Sequence, residues 1–139
     1  MGRVFLKRIY EPPLQVDGDR LLVERLWPRG VSKADAALDA WLKDIAPSGE
    51  LRRWYDHLPE RWPEFTRRYE AELAGKRAIV DDLVSRLAER DITLVFAARD
   101  ERRNSAVVLK SVIEDRLRGL RRAKPRRASR PCPRARASS

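Results

Sequence analysis

Apolar and polar positions change rhythm several times along this chain, and each change predicts an element. Arg3-Val4-Phe5-Leu6-Lys7-Arg8-Ile9-Tyr10 reads as a first strand, which Pro12 and Pro13 end. Asp17-Gly18-Asp19 is a turn signal. Leu21–Trp27 is mostly apolar and reads as a second strand, stopped by Pro28 and Gly30. The link of about ten residues between these two strands is too short for a helical crossover, which leaves a hairpin or a parallel arrangement open.

From Ser32, which can cap a helix, the period lengthens. Ala37, Leu38, Trp41, Leu42 and Ile45 recur at helical spacing and predict a helix over about 33–45. Pro47-Ser48-Gly49 breaks it, and Ser48 can cap a short helix whose apolar side is Leu51, Trp54, Tyr55 and Leu58. Pro59 opens a third helix with Trp62, Phe65, Tyr69 and Leu73 as its buried stripe and Gly75 as its stop. A fourth runs over about 77–90, with Ile79, Leu83, Val84 and Leu87 inward. Ile92-Thr93-Leu94-Val95-Phe96-Ala97-Ala98 is nearly continuous in apolar residues, as in a strand buried on both faces of a parallel sheet. Asn104 can cap a last helix with Val107, Val108, Val112, Ile113 and Leu117 on its apolar face and Gly119 at its end.

This order predicts an α/β fold: a small three- to four-stranded, mostly parallel sheet with helices on both faces. It occupies residues 1–119. The remaining residues, 120–139, are Arg, Ala, Ser and Pro with almost nothing to bury, and read as a disordered basic tail.

Charge sharpens that division. The net charge is +10, yet all 21 acidic residues lie at or before Asp115. Residues 1–115 carry 21 basic and 21 acidic groups, while 116–139 hold nine Arg, one Lys and no acid. The body is neutral and the excess belongs to the tail. Cys132 is the only cysteine, which excludes an intrachain disulfide and a thiolate zinc site. Met1–Tyr10 has no apolar core of a signal peptide, and no apolar run approaches the roughly 20 residues of a membrane span. A cytoplasmic location is the expectation.

Four segments resemble one family. They are Val23-Glu24-Arg25-Leu26-Trp27-Pro28-Arg29-Gly30-Val31, Trp41-Leu42-Lys43-Asp44-Ile45-Ala46-Pro47-Ser48, Trp54-Tyr55-Asp56-His57 with Trp62-Pro63-Glu64-Phe65 and Tyr69, and Leu94–Asp100 with Asn104–Leu109. Together, in this order, they resemble the DUF488 family in its YeaO-like branch, over about residues 3–115. The resemblance implies an α/β domain and candidate positions, but no particular reaction. Glu24 stands where the family usually has Asp, and Arg103 and Ser105 stand where many members carry His.

Candidate chemistry lies at strand ends, because open parallel sheets bind ligands beyond the carboxyl ends of their strands. One end presents Arg25, Trp27, Arg29 and, a few residues on, Lys33. The other presents Arg99, Asp100 and the helix start at Asn104. Should the two loops share an edge, guanidinium groups and free helix N–H groups make an anion site for a phosphate, a carboxylate or a nucleotide. Arg29 and Arg99 would then bind the ligand, Trp27 would stack on it, and Asp100 is the best-placed acid or base. The competing reading pairs Arg25 and Arg29 with Glu24, Asp44 or Asp100 as loop braces.

His57 is the only histidine: either a helix-end residue with a local hydrogen bond or a weak candidate for proton transfer. Trp41, Trp54 and Trp62 read as core. Ser32, Ser48 and Ser105 read as caps or first-turn residues. Neither a P-loop nor a G-x-G-x-x-G turn is present, which argues against a P-loop NTPase and a Rossmann enzyme. No cofactor is expected, and no spacing suggests a metal site. The tail, through Arg121, Arg122, Lys124, Arg126, Arg127 and Arg130, can bind a nucleic-acid backbone without reading sequence. Three functions are compatible with these features: an anion-binding α/β protein, a nucleic-acid-associated protein, or an interaction module whose arginines are structural.

Overall fold

The protein is described from a computed structural model, which covers residues 2–129 and the side chains of residues 2–120. Its centre is β4 (Ile92–Phe96), the strand whose five residues are all buried. β4 pairs in parallel with β1 (Val4–Arg8) on one side and β2 (Asp19–Leu22) on the other, and the two-residue β3 (Ala40–Trp41) adds to β2. The order is β1-β4-β2-β3, all parallel. Leu94 therefore sits level with Leu6 and Leu21, and every strand delivers its carboxyl end to one edge. β1 and β2 are parallel, with β4 inserted between them.

Side chains alternate across the sheet, as the pleat requires. Leu21, Val23, Ile92, Leu94 and Phe96 enter the larger core, and Ile9, Leu22 and Val95 enter a smaller one. The larger core is covered by α2 (Gly49–Tyr55), α3 (Trp62–Ala74), α4 (Arg77–Arg86) and α5 (Ser105–Ser129). Tyr55, Phe65 and Tyr69 form an aromatic row within it, with ring centroids 4.6 and 5.9 Å apart. The buried Tyr69 hydroxyl donates to the Ile45 carbonyl at 2.6 Å. α1 (Lys33–Ala36) lies on the other face, where Ala36 joins the smaller core.

The link from β1 to β2 also returns over that second face and is anchored by charge. Asp17 is buried; its carboxylate accepts from Arg20 at 2.7 Å, Lys7 at 3.1 Å and the Leu14 N–H at 3.0 Å. Its carbonyl accepts from the Thr93 hydroxyl at 2.7 Å. Gly18 follows with φ +65°, and a Cβ there would lie 2.2 Å from the Asp91 carbonyl oxygen, so only glycine fits this turn.

The helix expected over 33–45 does not form as one piece. Ser32 caps it, accepting the Asp35 N–H at 3.0 Å, but it stops after one turn at Ala37, which is left-handed (φ 48°). The cause is a long-range contact. Arg20 is buried and points its guanidinium at the Ala36 and Ala37 carbonyls, and Asp39 exchanges two bonds with the Arg20 backbone. The chain then runs as β3, which sends Leu38 and Trp41 to the smaller core and Leu42 and Ile45 to the larger. Their helix-like spacing is met by a strand and a 3-10 turn (Lys43–Ile45).

α4 ends at Arg86, and Gly119 does not end α5; one glycine among good helix formers costs only about 1 kcal/mol. Of the expected tail, residues 130–139 and the side chains of 121–129 lie outside what is described. Among the described residues no helix is long and apolar enough to cross a membrane.

Candidate functional site

The carboxyl edge of the sheet opens, on the larger-core side, into a cavity of about 290 Å³. β2 contributes Glu24 to its lining, just past the strand end. The Glu24 carbonyl accepts the Trp41 indole N–H at 2.7 Å, and one carboxylate oxygen accepts the Ala97 N–H at 2.9 Å. β4 contributes Ala97 and Ala98, which leave room above the strand end.

The loop after β4 folds on Asp100. One carboxylate oxygen accepts the Arg102 and Arg103 N–H groups at 2.9 and 3.0 Å, and the other lies 3.6 Å from the Arg103 guanidinium. Asn104 is buried and fixes the start of α5: its side-chain oxygen accepts the Val107 N–H at 3.1 Å, and its amide donates to the Asp100 carbonyl at 2.8 Å. Asn104 and Ser105 thus bring the amino end of α5 into the cavity wall. A helix start carries unpaired N–H groups and the positive end of the helix dipole.

α2 supplies the facing wall. Ser48 caps it by accepting the Leu51 N–H at 3.1 Å, and Glu72 holds Ser48 through its N–H at 2.9 Å and its hydroxyl at 2.7 Å. Arg52 and Tyr55, nearly one turn apart on α2, both line the cavity. Tyr55 is only 7% exposed, and among the described residues nothing hydrogen-bonds its phenol. The chain leaves α2 through two left-handed residues, Asp56 (φ 48°) and His57 (φ 55°). This turn brings the exposed His57 to the cavity with its ring centroid 6.3 Å from that of Tyr55.

Electrostatics follow from these positions. Burial pushes the Tyr55 phenol up, and the Asp100 carboxylate adds to the effect against Arg103, so Tyr55 remains a hydrogen-bond donor at neutral pH. The N–H groups of Arg102 and Arg103, with the Arg103 guanidinium, hold the Asp100 carboxyl below its usual range. Burial pushes the Tyr69 phenol far up, and the Glu72 and Glu24 carboxylates push the same way.

Of the residues singled out in the sequence, Asn104 and His57 line this cavity. Arg25, Trp27, Arg29, Lys33 and Arg99 do not. Trp27 explains the separation: its indole donates to the Val31 carbonyl at 2.7 Å and packs edge-on against Trp41, 5.3 Å between centroids, in the smaller core. Its loop, with Arg25, Arg29 and Lys33 exposed along it, is thereby drawn toward the other face of the sheet. Arg99 is exposed as well, and Asp100 braces the loop behind Arg103.

Glu24, Arg103 and Ser105, the three positions that depart from the resembled family pattern, all line the cavity. Sequence reasoning missed Arg52 and took Tyr55 as core alone. The available signal was their spacing of three on a helix with one buried side, which carries Arg52 to the rim wherever Tyr55 is buried. Among the described residues no three His, Cys, Asp or Glu side chains cluster to hold a metal.

A family model described as the inactive DUF488-N3 subclade matches residues 3–133. The uncharacterized protein Rv3073c of Mycobacterium tuberculosis (strain ATCC 25618 / H37Rv) is 43% identical over 115 residues, which is 82% of this chain and 96% of that one. The uncharacterized protein YeaO of Escherichia coli (strain K12) is 42% identical over 103 residues, 74% of this chain and 90% of that one. No solved structure matches.

Proposed function

The chain belongs to the DUF488 family, in the subclade described as inactive, and from that premise we propose that it is a binding module that accepts a small anion in the cavity at the carboxyl edge of its sheet. One observation carries the reading. The amino end of α5, Arg52, Arg103 and Tyr55 line one space. Helix starts and arginine forks are the groups that recognise phosphate and carboxylate. This moves the ligand contacts from Arg29 and Arg99 to Arg52 and Arg103, with Asn104 as the residue that sets the helix start.

Binding is favoured over catalysis by two features. Asp100 is committed to two backbone N–H groups and is poorly suited to accept a proton. Arg103 and Ser105 stand where many members of the resembled family carry histidine, and one imidazole, that of His57, lines the cavity. Inorganic phosphate or sulfate should raise the melting temperature of the full chain. A ligand at one hundred times its Kd adds about 2.7 kcal/mol. Arg52→Ala and Arg103→Ala should each remove most of that gain. No gain with any anion leaves the interaction-module reading.

The segregated charge supports a second reading. Ten basic residues and no acidic residue follow Asp115. Arg121, Arg122, Lys124, Arg126, Arg127 and Arg130 would neutralise phosphates along a nucleic acid, independently of the cavity.

A further inference from the structure

The cavity has two unlike poles, and the anion reading uses only one. At the α5 pole, the Arg103 guanidinium, the helix start and the Tyr55 phenol all offer hydrogen-bond donors or positive charge. Glu24 is the other pole. It lines the same cavity just past the end of β2, and among the described residues it forms no ion pair with Arg52 or Arg103. One Glu24 oxygen holds the Ala97 N–H, and no described group hydrogen-bonds the other. A simple anion satisfies the first pole and leaves a carboxylate facing it with nothing to accept.

Building on the anion reading, we propose that the ligand is a small bifunctional acid, with a carboxylate or phosphate at the α5 end and a hydroxyl or amino group donating to Glu24. Arg52, Arg103 and Tyr55 hold the anionic head. Glu24 selects for the donor and repels a second acid at that end. Pro47, Phe65 and Ala98 supply the apolar wall along a short carbon spacer. The volume, about 290 Å³, sits at the lower edge of the range for ligand pockets, roughly 300–1,000 Å³. It suits a compact acid.

The test compares ligands sharing one head, on the full chain, by titration calorimetry. Butyrate is set against 2-, 3- and 4-hydroxybutyrate and 4-aminobutyrate, and methyl phosphate against glycerol 3-phosphate, which separates the carboxylate and phosphate sources. At least one donor-bearing member should bind ten times more tightly than its plain partner. In Glu24→Gln the amide oxygen still accepts the Ala97 N–H, while the amide NH2 replaces the free acceptor. That advantage should then fall below twofold. Plain anions that bind as well as their hydroxylated or aminated partners overturn this inference and leave the anion reading standing. Failure of every ligand overturns both. A donor preference that persists in Glu24→Gln assigns the selection elsewhere and overturns the role of Glu24.

Discussion

Glu24 and Ala97 join the exits of two neighbouring strands: the Glu24 carboxylate accepts the Ala97 N–H at 2.9 Å, just beyond the ends of β2 and β4. This bond extends the sheet by one rung made with a side chain and turns the edge into the floor of the cavity. Glu24→Ala removes the acceptor and should lower unfolding free energy by about 1–3 kcal/mol. Glu24→Gln should stay within about 1 kcal/mol of wild type. Urea denaturation measures both, and equal losses would show that the bond itself contributes nothing.

A second prediction concerns the ion cluster on the opposite face. Asp17 and Arg20 have side chains 8% and 4% exposed, 2.7 Å apart, with Lys7 as the third member. Asp17→Asn leaves two cations without their partner in a buried site and should cost about 3–5 kcal/mol. Burial alone would raise the Asp17 carboxyl, but the Leu14 N–H, Arg20 and Lys7 outweigh it and the net shift is downward. A carboxyl lowered by folding stabilises fully above its unfolded value, about 3.9, and loses that contribution as pH falls through the lower folded value. Acid unfolding of wild type should therefore steepen below about pH 4. Asp17→Asn should be less stable at neutral pH and have a flatter acid limb. An unchanged acid limb would contradict the assignment.

The left-handed pair after α2 gives a third. His57 (φ 55°) adopts a conformation that is unfavourable for L-residues by roughly 1–2 kcal/mol, and it is exposed at the cavity. His57→Gly removes that strain but adds freedom to the unfolded chain, worth about 0.4–1 kcal/mol in the other direction. The variant should gain about 0.5–1 kcal/mol in chemical denaturation while its stabilisation by phosphate shrinks. A loss of stability would mean that the imidazole makes contacts that outweigh the strain.

These residues also show which parts of the molecule are legible in sequence. β4 is readable because an apolar, β-branched run of that length has little alternative to a central strand. The caps at Ser32 and Ser48 are readable because their partners are three residues away. The segment after Ser32 is not, because what ends α1 is Arg20, reaching it from a strand more than a dozen residues earlier. At the site, the α5 start was in reach, since it follows from the parallel sheet and Asn104. The choice of arginines was not. It depends on Trp27 turning its loop toward the smaller core and on Glu72 clasping α2 over the opening, and neither contact has a local signature.

The fourth prediction isolates the basic extension. Removal of residues 121–139 leaves intact every described side chain that builds the two cores. If the extension binds nucleic acid, the full chain should bind duplex DNA with an affinity that falls steeply with salt, a log–log slope of about −4 to −6 for five or six neutralised phosphates. The shortened chain should bind weakly with a much flatter slope and an unchanged melting temperature. Equal binding by both would remove the extension from any such role.

The proposed anion would rest at the amino end of α5 between Arg52 and Arg103, and a phosphate titration of the 15N-labelled full chain, followed by the amide resonances of Ser105 and Ala106, tests for it there. Both should shift in a saturable manner, together with the Arg52 and Arg103 side-chain signals, and Arg103→Ala should abolish the response. Resonances at Ser105 and Ala106 that stay fixed while those beyond residue 120 move would contradict it.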